Sequence, residues 1–205
     1  MNGDILICVV VGYLCGSIPF GLILTKMAGG GDIRTIGSGN IGATNVLRTG
    51  RKSLAAATLI LDAAKGAFSI FIVSLFLSKA VLADAYLGIV GVSAVIGHCY
   101  PVWLKFSGGK GVATGLAVIT MLSPISGILF IATWILVAYI MKYSSLAALT
   151  AFASSSISAL ILENNEIFIA IIFITLLAFF RHTENINRLL SGEESKISTG
   201  PKSKN

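Results

Sequence analysis

The chain alternates between long apolar runs and shorter segments rich in glycine, asparagine and basic residues. A membrane-spanning helix needs about 20 mostly apolar residues to cross a ~30 Å hydrocarbon core. The apolar run over 112–141 would form a helix of ~45 Å, too long for one crossing, and Pro124 supplies a break within it. The pattern predicts an all-α integral membrane protein with seven transmembrane helices, at about 5–24, 53–77, 81–97, 112–123, 125–141, 145–162 and 167–180.

Composition agrees with a polytopic membrane protein and argues against several other classes. Of the 205 residues, 55% are hydrophobic and 12% are charged, whereas soluble domains have about 25% charged residues. No recognition motif accompanies the net charge of +6, so we expect no nucleic acid partner. Cys8, Cys15 and Cys99 are too irregularly spaced for a disulfide framework or a structural zinc site. We therefore expect no metal site.

The distribution of basic residues predicts the orientation of the helices, because short loops rich in lysine and arginine stay in the cytoplasm. With seven spans and the N-terminus outside, Lys79 alone falls on the outer side, whereas six spans would put Lys142 and the basic tail outside. We predict cytoplasmic loops over 25–52 and 98–111 and a cytoplasmic C-terminal tail over 181–205. The cytoplasmic cations are then Lys26, Arg34, Arg48, Arg51, Lys52, Lys105, Lys110, Lys142, Arg181, Arg188, Lys196, Lys202 and Lys204.

One of the predicted cytoplasmic loops has the composition of a phosphate-binding loop. Gly108, Gly109 and Gly111 surround Lys110, so backbone N–H groups are accessible and an ammonium group lies beside them. The motif is not a Walker A, because Gly111 follows the lysine where serine or threonine would be needed. The loop is predicted to bind phosphate, with no indication of nucleotide hydrolysis.

A second anion site is predicted over 37–48, where glycines expose the backbone and Arg48 offers a planar guanidinium for a phosphate. The candidate ligands within it are Ser38, Asn40, Thr44, Asn45 and Arg48. An ordinary turn rich in glycine and asparagine would have the same composition, so both interpretations stay open for this segment taken alone. Two such loops on one face of the membrane favour a functional site.

A third cluster follows the last apolar run. His182 and Asn185 are three residues apart and share a helix face near the membrane surface, whereas Glu184 and Arg188 have the i,i+4 spacing of an intrahelical ion pair. Within the second span, Asp62 and Lys65 are also three apart. A mutually neutralised pair and the base of a polar pocket both explain them.

These motifs together resemble the acyl-phosphate-dependent glycerol-3-phosphate acyltransferases of bacterial membranes. The resemblance covers nearly the whole chain, through the segments 16–21, 38–48, 97–114 and 182–186. It implies transfer of an acyl chain from acyl phosphate to the sn-1 hydroxyl of glycerol 3-phosphate, with lysophosphatidic acid and phosphate as products. It also implies a multi-pass protein of the bacterial inner membrane, with its active site in the cytoplasm, no coenzyme A donor and no cofactor.

The resemblance and the chemistry of the residues together suggest roles for the site. The acyl phosphate is assigned to Ser38, Thr44, Gly108, Gly109 and the backbone around them, and glycerol 3-phosphate to Arg48, Lys110, His182 and Asn185, with Ser145 a weaker candidate. Asn40, Asn45 and Glu184 complete the expected substrate-binding set. The His-x4-Asp motif of other glycerolipid acyltransferases is absent, because Trp103 and Asn187 stand five residues after His98 and His182.

Two other functions stay open at the level of sequence. An organic-phosphate transporter could use Arg48 and Lys110, although the cations lie on one side and no inverted repeat is apparent. An acyltransferase with an acyl-serine intermediate at Ser38 would show ping-pong kinetics. Within the expected reaction, either His182 or the departing phosphate could accept the hydroxyl proton, and we favour the phosphate.

Overall fold

The structure is a computed structural model that describes residues 2–77 and 83–197, and all of the regular elements within those residues are helical. Lys79, the start of the predicted third span and the tail beyond 197 lie outside the described residues. The α-helices are α1 (Asn2–Gly16), α2 (Phe20–Met27), α3 (Ala43–Leu47), α4 (Lys52–Leu77), α5 (Ala83–Cys99), α6 (Val112–Leu122), α7 (Pro124–Met141), α8 (Ser144–Leu162), α9 (Asn165–Arg181) and α10 (Thr183–Leu190). The all-α prediction is confirmed for this part of the chain.

The first predicted span is divided by a short break over 17–19. Pro19 occupies the N-cap of α2, and the hydroxyl of Ser17 donates to the carbonyl oxygen of Tyr13 at 2.6 Å. Before this break, α1 packs closely on α5, because a Cβ at Gly16 would collide with the carbonyl oxygen of Ala94. Small residues allow such close approach between helices in a membrane.

Five helical segments of the described chain are long and apolar enough to cross a membrane: Gly3–Met27, Lys52–Phe76, Ala83–Leu104, Pro124–Met141 and Ser144–Leu162. A sixth is added if α9 and α10, which are bent by 60° at their junction, are taken as one span. The predicted fourth span is the short helix α6. Its length of ~16 Å is too small to cross a ~30 Å core by itself, so helix length alone does not support seven spans.

The short helix α6 nevertheless leads from one end of the bundle to the other. It begins next to the glycine-rich loop, and α7 begins immediately after it at Pro124. The hydroxyl of Ser123, between the two helices, donates to the Glu163 carboxylate at 2.5 Å. Glu163 caps the end of α8 that lies opposite Ser145. The predicted division near Pro124 into two helices is therefore correct, and the turn lies at the end remote from the loop.

Asp62 and Lys65 form an ion pair inside the bundle. Nζ of Lys65 lies 2.8 Å from Oδ1 of Asp62, and the two side chains are 2% and 4% exposed. Lys65 also donates to the carbonyl oxygen of Ile18 at 2.8 Å, and Nδ1 of His98 lies 3.7 Å from the Asp62 carboxylate. Pairing offsets the cost of placing charges in an apolar interior. The interpretation as a mutually neutralised pair is therefore confirmed.

Candidate active site

Three segments that are distant in the sequence line one pocket of about 430 Å³. They are the polar loop before α3, the glycine-rich loop before α6, and the junction between α9 and α10. The lining residues are Ser38, Gly39, Asn40, Gly108, Lys110, Phe180, Arg181, Thr183 and Glu184. The structure therefore brings together members of all three clusters that the sequence analysis identified.

Asn45 organises the first loop from within. Its side-chain NH2 donates to three main-chain carbonyl oxygens, those of Ile33, Ile36 and Asn40, at 3.0, 2.9 and 2.8 Å. Its Oδ1 accepts a hydrogen bond from the N–H of Ser38 at 3.0 Å, and the residue is 2% exposed. The side-chain amide of Asn45 is thus fully hydrogen-bonded to the main chain. We therefore assign Asn45 a structural role, in shaping the loop that carries Ser38, in place of the predicted role as a substrate ligand.

Two neighbours of Asn45 have different positions. Asn40 lines the pocket, and its Oδ1 accepts from the N–H of Gly42 at 2.9 Å just before α3. Thr44 is exposed and is not among the lining residues; its hydroxyl lies 3.2 Å from that of Ser144 at the start of α8. The structure thus gives Thr44 a contact between α3 and α8 in place of the predicted contact with acyl phosphate.

The glycine-rich loop folds differently from a phosphate-binding loop. The N–H groups of Gly108 and Gly109 donate to the carbonyl oxygens of Cys99 and His98, at 3.1 and 3.0 Å. Their own carbonyl oxygens accept from the guanidinium of Arg181, at 3.2 and 3.1 Å. Both N–H groups are thus bonded within the protein, and the role of Gly108 and Gly109 in binding acyl phosphate stays a prediction. The loop is held between the end of α5 and the end of α9.

Gly109 also explains why this loop needs a residue without a side chain. A Cβ at this position would collide with the imidazole of His98. That imidazole is buried and lies between Gly109 and the Asp62 carboxylate. The loop therefore packs against His98, whose Nδ1 lies 3.7 Å from the carboxylate of the buried Asp62–Lys65 pair, and Lys110 follows directly after Gly109.

Lys110 is one of two cations, with Arg181, that line the pocket. Its ammonium group donates to Oδ1 of Asn185, which joins the second cluster to the third. Burial and the nearby positive charge of Arg188 lower the pKa of Lys110 from its usual value. An anion bound beside Lys110 would favour its charged form. Lys110 therefore has the position and the charge to bind a phosphate.

His182 lies at the bend between α9 and α10 and is buried, at 3% exposure. Its Nδ1 lies 2.7 Å from the carbonyl oxygen of Ala178. A carbonyl oxygen can only accept, so Nδ1 carries the hydrogen and Nε2 of the neutral ring has a free lone pair. Burial lowers the pKa of His182 to about 4, although the hydrogen bond to Ala178 acts in the opposite direction. His182 is thus a neutral hydrogen-bond acceptor at pH 7.

The residues after α10 return to the site, which the sequence analysis did not predict. The Glu194 carboxylate accepts hydrogen bonds from Asn185, Ser145 and Arg188. The predicted pair of Glu184 and Arg188 is long, at 4.0 Å, whereas Arg188 Nε lies 2.7 Å from Glu194. Arg188 therefore pairs mainly with Glu194, and the exposed Glu184 side chain is left to line the pocket.

Arg48, the predicted phosphate ligand of the first loop, lies beside the same returning segment. Its guanidinium donates to the hydroxyl of Ser195 at 2.6 Å. A Cβ at Gly37 would collide with Oδ1 of Asn45 and would lie 3.1 Å from Cδ of Arg48, so the glycine leaves room for both side chains. The contact with a neutral hydroxyl does not neutralise the guanidinium, which remains suited to an anion.

The chemistry of the site favours an anionic ligand. Within residues 2–77 and 83–197, no group of three or more histidine, cysteine, aspartate or glutamate side chains is placed to hold a metal ion. The pocket instead combines an ammonium group, hydroxyl and amide side chains and a neutral imidazole nearby, beside the apolar side chain of Phe180. The fold and the site together define a helical protein with several apolar candidate spans and a polar, cation-lined pocket at one end of the bundle.

Comparison with known proteins agrees with a helical protein of this kind and identifies the family to which the chain belongs. The family model described as glycerol-3-phosphate acyltransferase matches residues 6–192, and the chain belongs to this family. The glycerol-3-phosphate acyltransferase of Sinorhizobium medicae (strain WSM419) is 53% identical over 192 residues, covering 94% of this chain and 92% of the relative. That of Rhodospirillum rubrum is 50% identical over 194 residues, covering 93% and 90%. The protein is therefore an acyltransferase.

Two solved structures share the fold. Both are crystal structures of PlsY (YgiH), described as an integral membrane glycerol 3-phosphate acyltransferase. The glycerol 3-phosphate form has a TM-score of 0.87 and 36% identity, and the lysophosphatidic acid form has 0.85 and 35%. Each match covers 95% of this chain and 96% of the other. These relatives are described as integral membrane proteins, and the apolar candidate spans of this chain agree with that description. The expectation of an acyltransferase is confirmed.

Proposed function

We propose that the protein transfers the acyl chain of acyl phosphate to the sn-1 hydroxyl of glycerol 3-phosphate, giving lysophosphatidic acid and inorganic phosphate. The observation that carries the proposal is the composite pocket, where Lys110 lies among polar groups of all three clusters in about 430 Å³. The solved relatives are described as glycerol 3-phosphate and lysophosphatidic acid forms, which supports these compounds as acceptor and product here.

In the proposed reaction, the acceptor hydroxyl oxygen forms a bond to the acyl carbonyl carbon. The bond from that carbon to the phosphate oxygen breaks, and the hydroxyl proton passes to the departing phosphate. Acyl phosphate is an activated mixed anhydride, so positioning and charge stabilisation supply most of the catalysis. Lys110 and Arg48 stabilise the phosphate groups, while Nε2 of His182 and the Asn185 amide orient the acceptor.

The acyl chain has a path from the pocket to the lipid. Phe180 lines the pocket, and its side chain is 69% exposed on the surface of α9. Its neighbours on the outer surface of the same helix, Phe173 and Leu176, are also exposed apolar residues. A continuous apolar surface suits a donor that brings a hydrocarbon chain as well as a phosphate.

We further propose seven crossings, an outer N-terminus and a cytoplasmic site in the bacterial inner membrane. Two observations support this topology. The α6–α7 pair leads to the end of the bundle remote from the glycine-rich loop and returns, because Ser123 contacts Glu163. The pocket is lined by Lys110 and Arg181, two of the predicted cytoplasmic cations, as expected for a cytoplasmic face.

The donor is tested with purified protein and radiolabelled glycerol 3-phosphate, supplied with either acyl phosphate or acyl coenzyme A. We expect lysophosphatidic acid from acyl phosphate only, with sequential kinetics. Product from neither donor would contradict the proposed function, and product from acyl coenzyme A alone would contradict the donor. Ping-pong kinetics with an acyl adduct on Ser38, which lines the pocket, would favour an acyl-serine mechanism.

His182→Gln separates a positioning role from general base catalysis. Loss of a general base costs about 10²- to 10⁴-fold in rate, whereas glutamine can still accept a hydrogen bond. We expect kcat to fall by less than about 100-fold. A phosphate has a second pKa near ~6, so an inflection of kcat/KM in that range should persist in the variant. Loss of that inflection together with a larger fall in kcat would identify His182 as the base.

The sign of the pH effect follows from the lowered pKa of His182, about 4. The neutral ring is the form that accepts the substrate hydroxyl, and it predominates at every pH above this value. Protonation of His182 should therefore remove activity only as the pH falls toward 4. An acidic limb of kcat near the ordinary histidine pKa of about 6.5, absent from His182→Gln, would contradict this result.

A further inference from the structure

The segment after α10 turns back toward the bundle immediately after the helix ends. Gly192 has φ +75°, a left-handed conformation that suits glycine at the end of a helix. The N–H groups of Glu193 and Glu194 then donate to the carbonyl oxygen of Arg188 at 2.8 and 3.0 Å. Further on, the N–H of Ile197 donates to the carbonyl oxygen of Lys142 at 2.7 Å. Residues 192–197 are thus tied at both ends.

This return places one carboxylate among side chains of the site. Oε1 of Glu194 accepts from Ser145 at 2.8 Å and from Nδ2 of Asn185 at 2.7 Å, and Oε2 accepts from Nε of Arg188 at 2.7 Å. The Glu194 side chain is 5% exposed. Burial raises the pKa of this carboxyl group, but its three donors outweigh burial and hold the pKa below the usual value. Glu194 is therefore a charged, fully bonded group at neutral pH.

The carboxylate determines which way the Asn185 amide faces. A carboxylate only accepts hydrogen bonds, so Nδ2 of Asn185 must face Glu194 and Oδ1 must face away. Oδ1 is the atom that accepts from the Lys110 ammonium group. The chain of contacts from Glu194 through Asn185 to Lys110 thus sets both the amide orientation and the direction of the lysine side chain.

We propose that Glu194 is a positioning residue for glycerol 3-phosphate, acting through Asn185, Ser145 and Lys110. The inference rests on the proposed function, because it takes glycerol 3-phosphate as the ligand. A different explanation of the same contacts is that the carboxylate occupies the place of the substrate phosphate and blocks the site. The two explanations predict opposite changes in affinity when the charge of Glu194 is removed.

The test compares wild type with Glu194→Gln, and Glu193→Gln serves as the matched control because Glu193 is the exposed glutamate next to it. A glutamine at this position would place an NH2 group, which cannot accept a hydrogen bond, opposite at least one of the donors around Glu194. The Asn185 amide would then lose its fixed orientation. We expect the KM and Kd for glycerol 3-phosphate to rise by about 10- to 100-fold, the range for loss of a charged hydrogen-bond partner. The kcat should change far less, and Glu193→Gln should stay within about twofold of wild type.

Affinity is measured by calorimetry with glycerol 3-phosphate alone, and turnover with acyl phosphate added. Glu194→Asp keeps the charge and should recover part of the affinity. Tighter binding by Glu194→Gln would overturn the proposal in favour of a blocking role, and unchanged binding would overturn it outright. Failure of the proposed function has a different signature, since wild-type protein would then form no lysophosphatidic acid.

The pattern of the kinetic constants distinguishes a positioning role of Glu194 from a general loss of folding. A destabilised protein has a smaller active fraction, which lowers the apparent kcat and leaves the KM of the remaining folded enzyme unchanged. A positioning role raises KM and Kd in protein whose unfolding temperature matches that of the Glu193→Gln control. A fall in kcat at constant KM would therefore contradict the proposal.

Discussion

Replacement of Lys110 by methionine is expected to lower kcat/KM for glycerol 3-phosphate by about 100-fold. Charge-assisted hydrogen bonds to phosphate contribute about 1.5–3 kcal/mol, and the ammonium group of Lys110 lines the pocket and contacts Asn185. Methionine keeps most of the side-chain length and removes the charge. The measurement is steady-state kinetics on purified protein, with helical content compared by circular dichroism.

The chain offers a matched control for this change in Lys105, an exposed lysine of the same loop. Lys105→Met removes an equal charge from the same surface, so it accounts for any general loss of attraction for anionic substrates. We expect kcat/KM to stay within about threefold of wild type, since exposed charges act weakly at a distance in salt. Similar losses in both variants would remove Lys110 from a specific role.

Replacement of Gly109 by alanine is expected to reduce turnover by about 100-fold or more while the helical bundle stays folded. The new Cβ would collide with the imidazole of His98, which is buried and whose Nδ1 lies 3.7 Å from the Asp62 carboxylate. The loop must then move, and a displacement of about 1 Å at a catalytic group can cost about 10²-fold in rate.

Gly42→Ala is the control for this second substitution. Its Cβ would lie 3.4 Å from Oδ1 of Asn40, an ordinary contact, and the Gly42 backbone has φ −79°, which alanine adopts freely. We expect this variant to keep most of the wild-type activity. Wild-type turnover in Gly109→Ala would show that the loop tolerates movement and that its contact with His98 is not required.

The fold was largely predictable because apolar runs and proline positions determine helices in a membrane. The bounds of the buried helices lie within a few residues of the predicted ones, and the break before Pro124 was found from the length of the run. The bounds of α6, Val112–Leu122, lie within one residue of the predicted 112–123. The fold of the loop before α6 was not predictable, because its hydrogen bonds to carbonyl groups at the end of α5 depend on tertiary contacts that composition does not show.

The sequence placed Ser38, Asn40, Gly108, Lys110 and Glu184 in one site, and these residues line the pocket, but it did not predict their hydrogen bonds. Glycine content correctly located the loop with Lys110, but it does not show which carbonyl groups the N–H groups of Gly108 and Gly109 meet. Asn45 has a side chain that could bind a substrate, but its amide is hydrogen-bonded to the main chain of its own loop. No sequence pattern indicated that Glu194 belongs to the site, because its contacts depend on where the chain returns after α10.

The spacing of Asp62 and Lys65 bears on how the protein is assembled. The two residues lie one turn apart on the same helix, so the pair can form within α4 before any other helix is present. During insertion, α4 then enters the bilayer as a segment without net internal charge, at a lower cost than either charge alone. The carbonyl of Ile18 and the ring of His98 join the pair only when the helices associate. We therefore expect the same pair to lower the cost of insertion first and to lie beneath the glycine-rich loop, next to His98, afterwards.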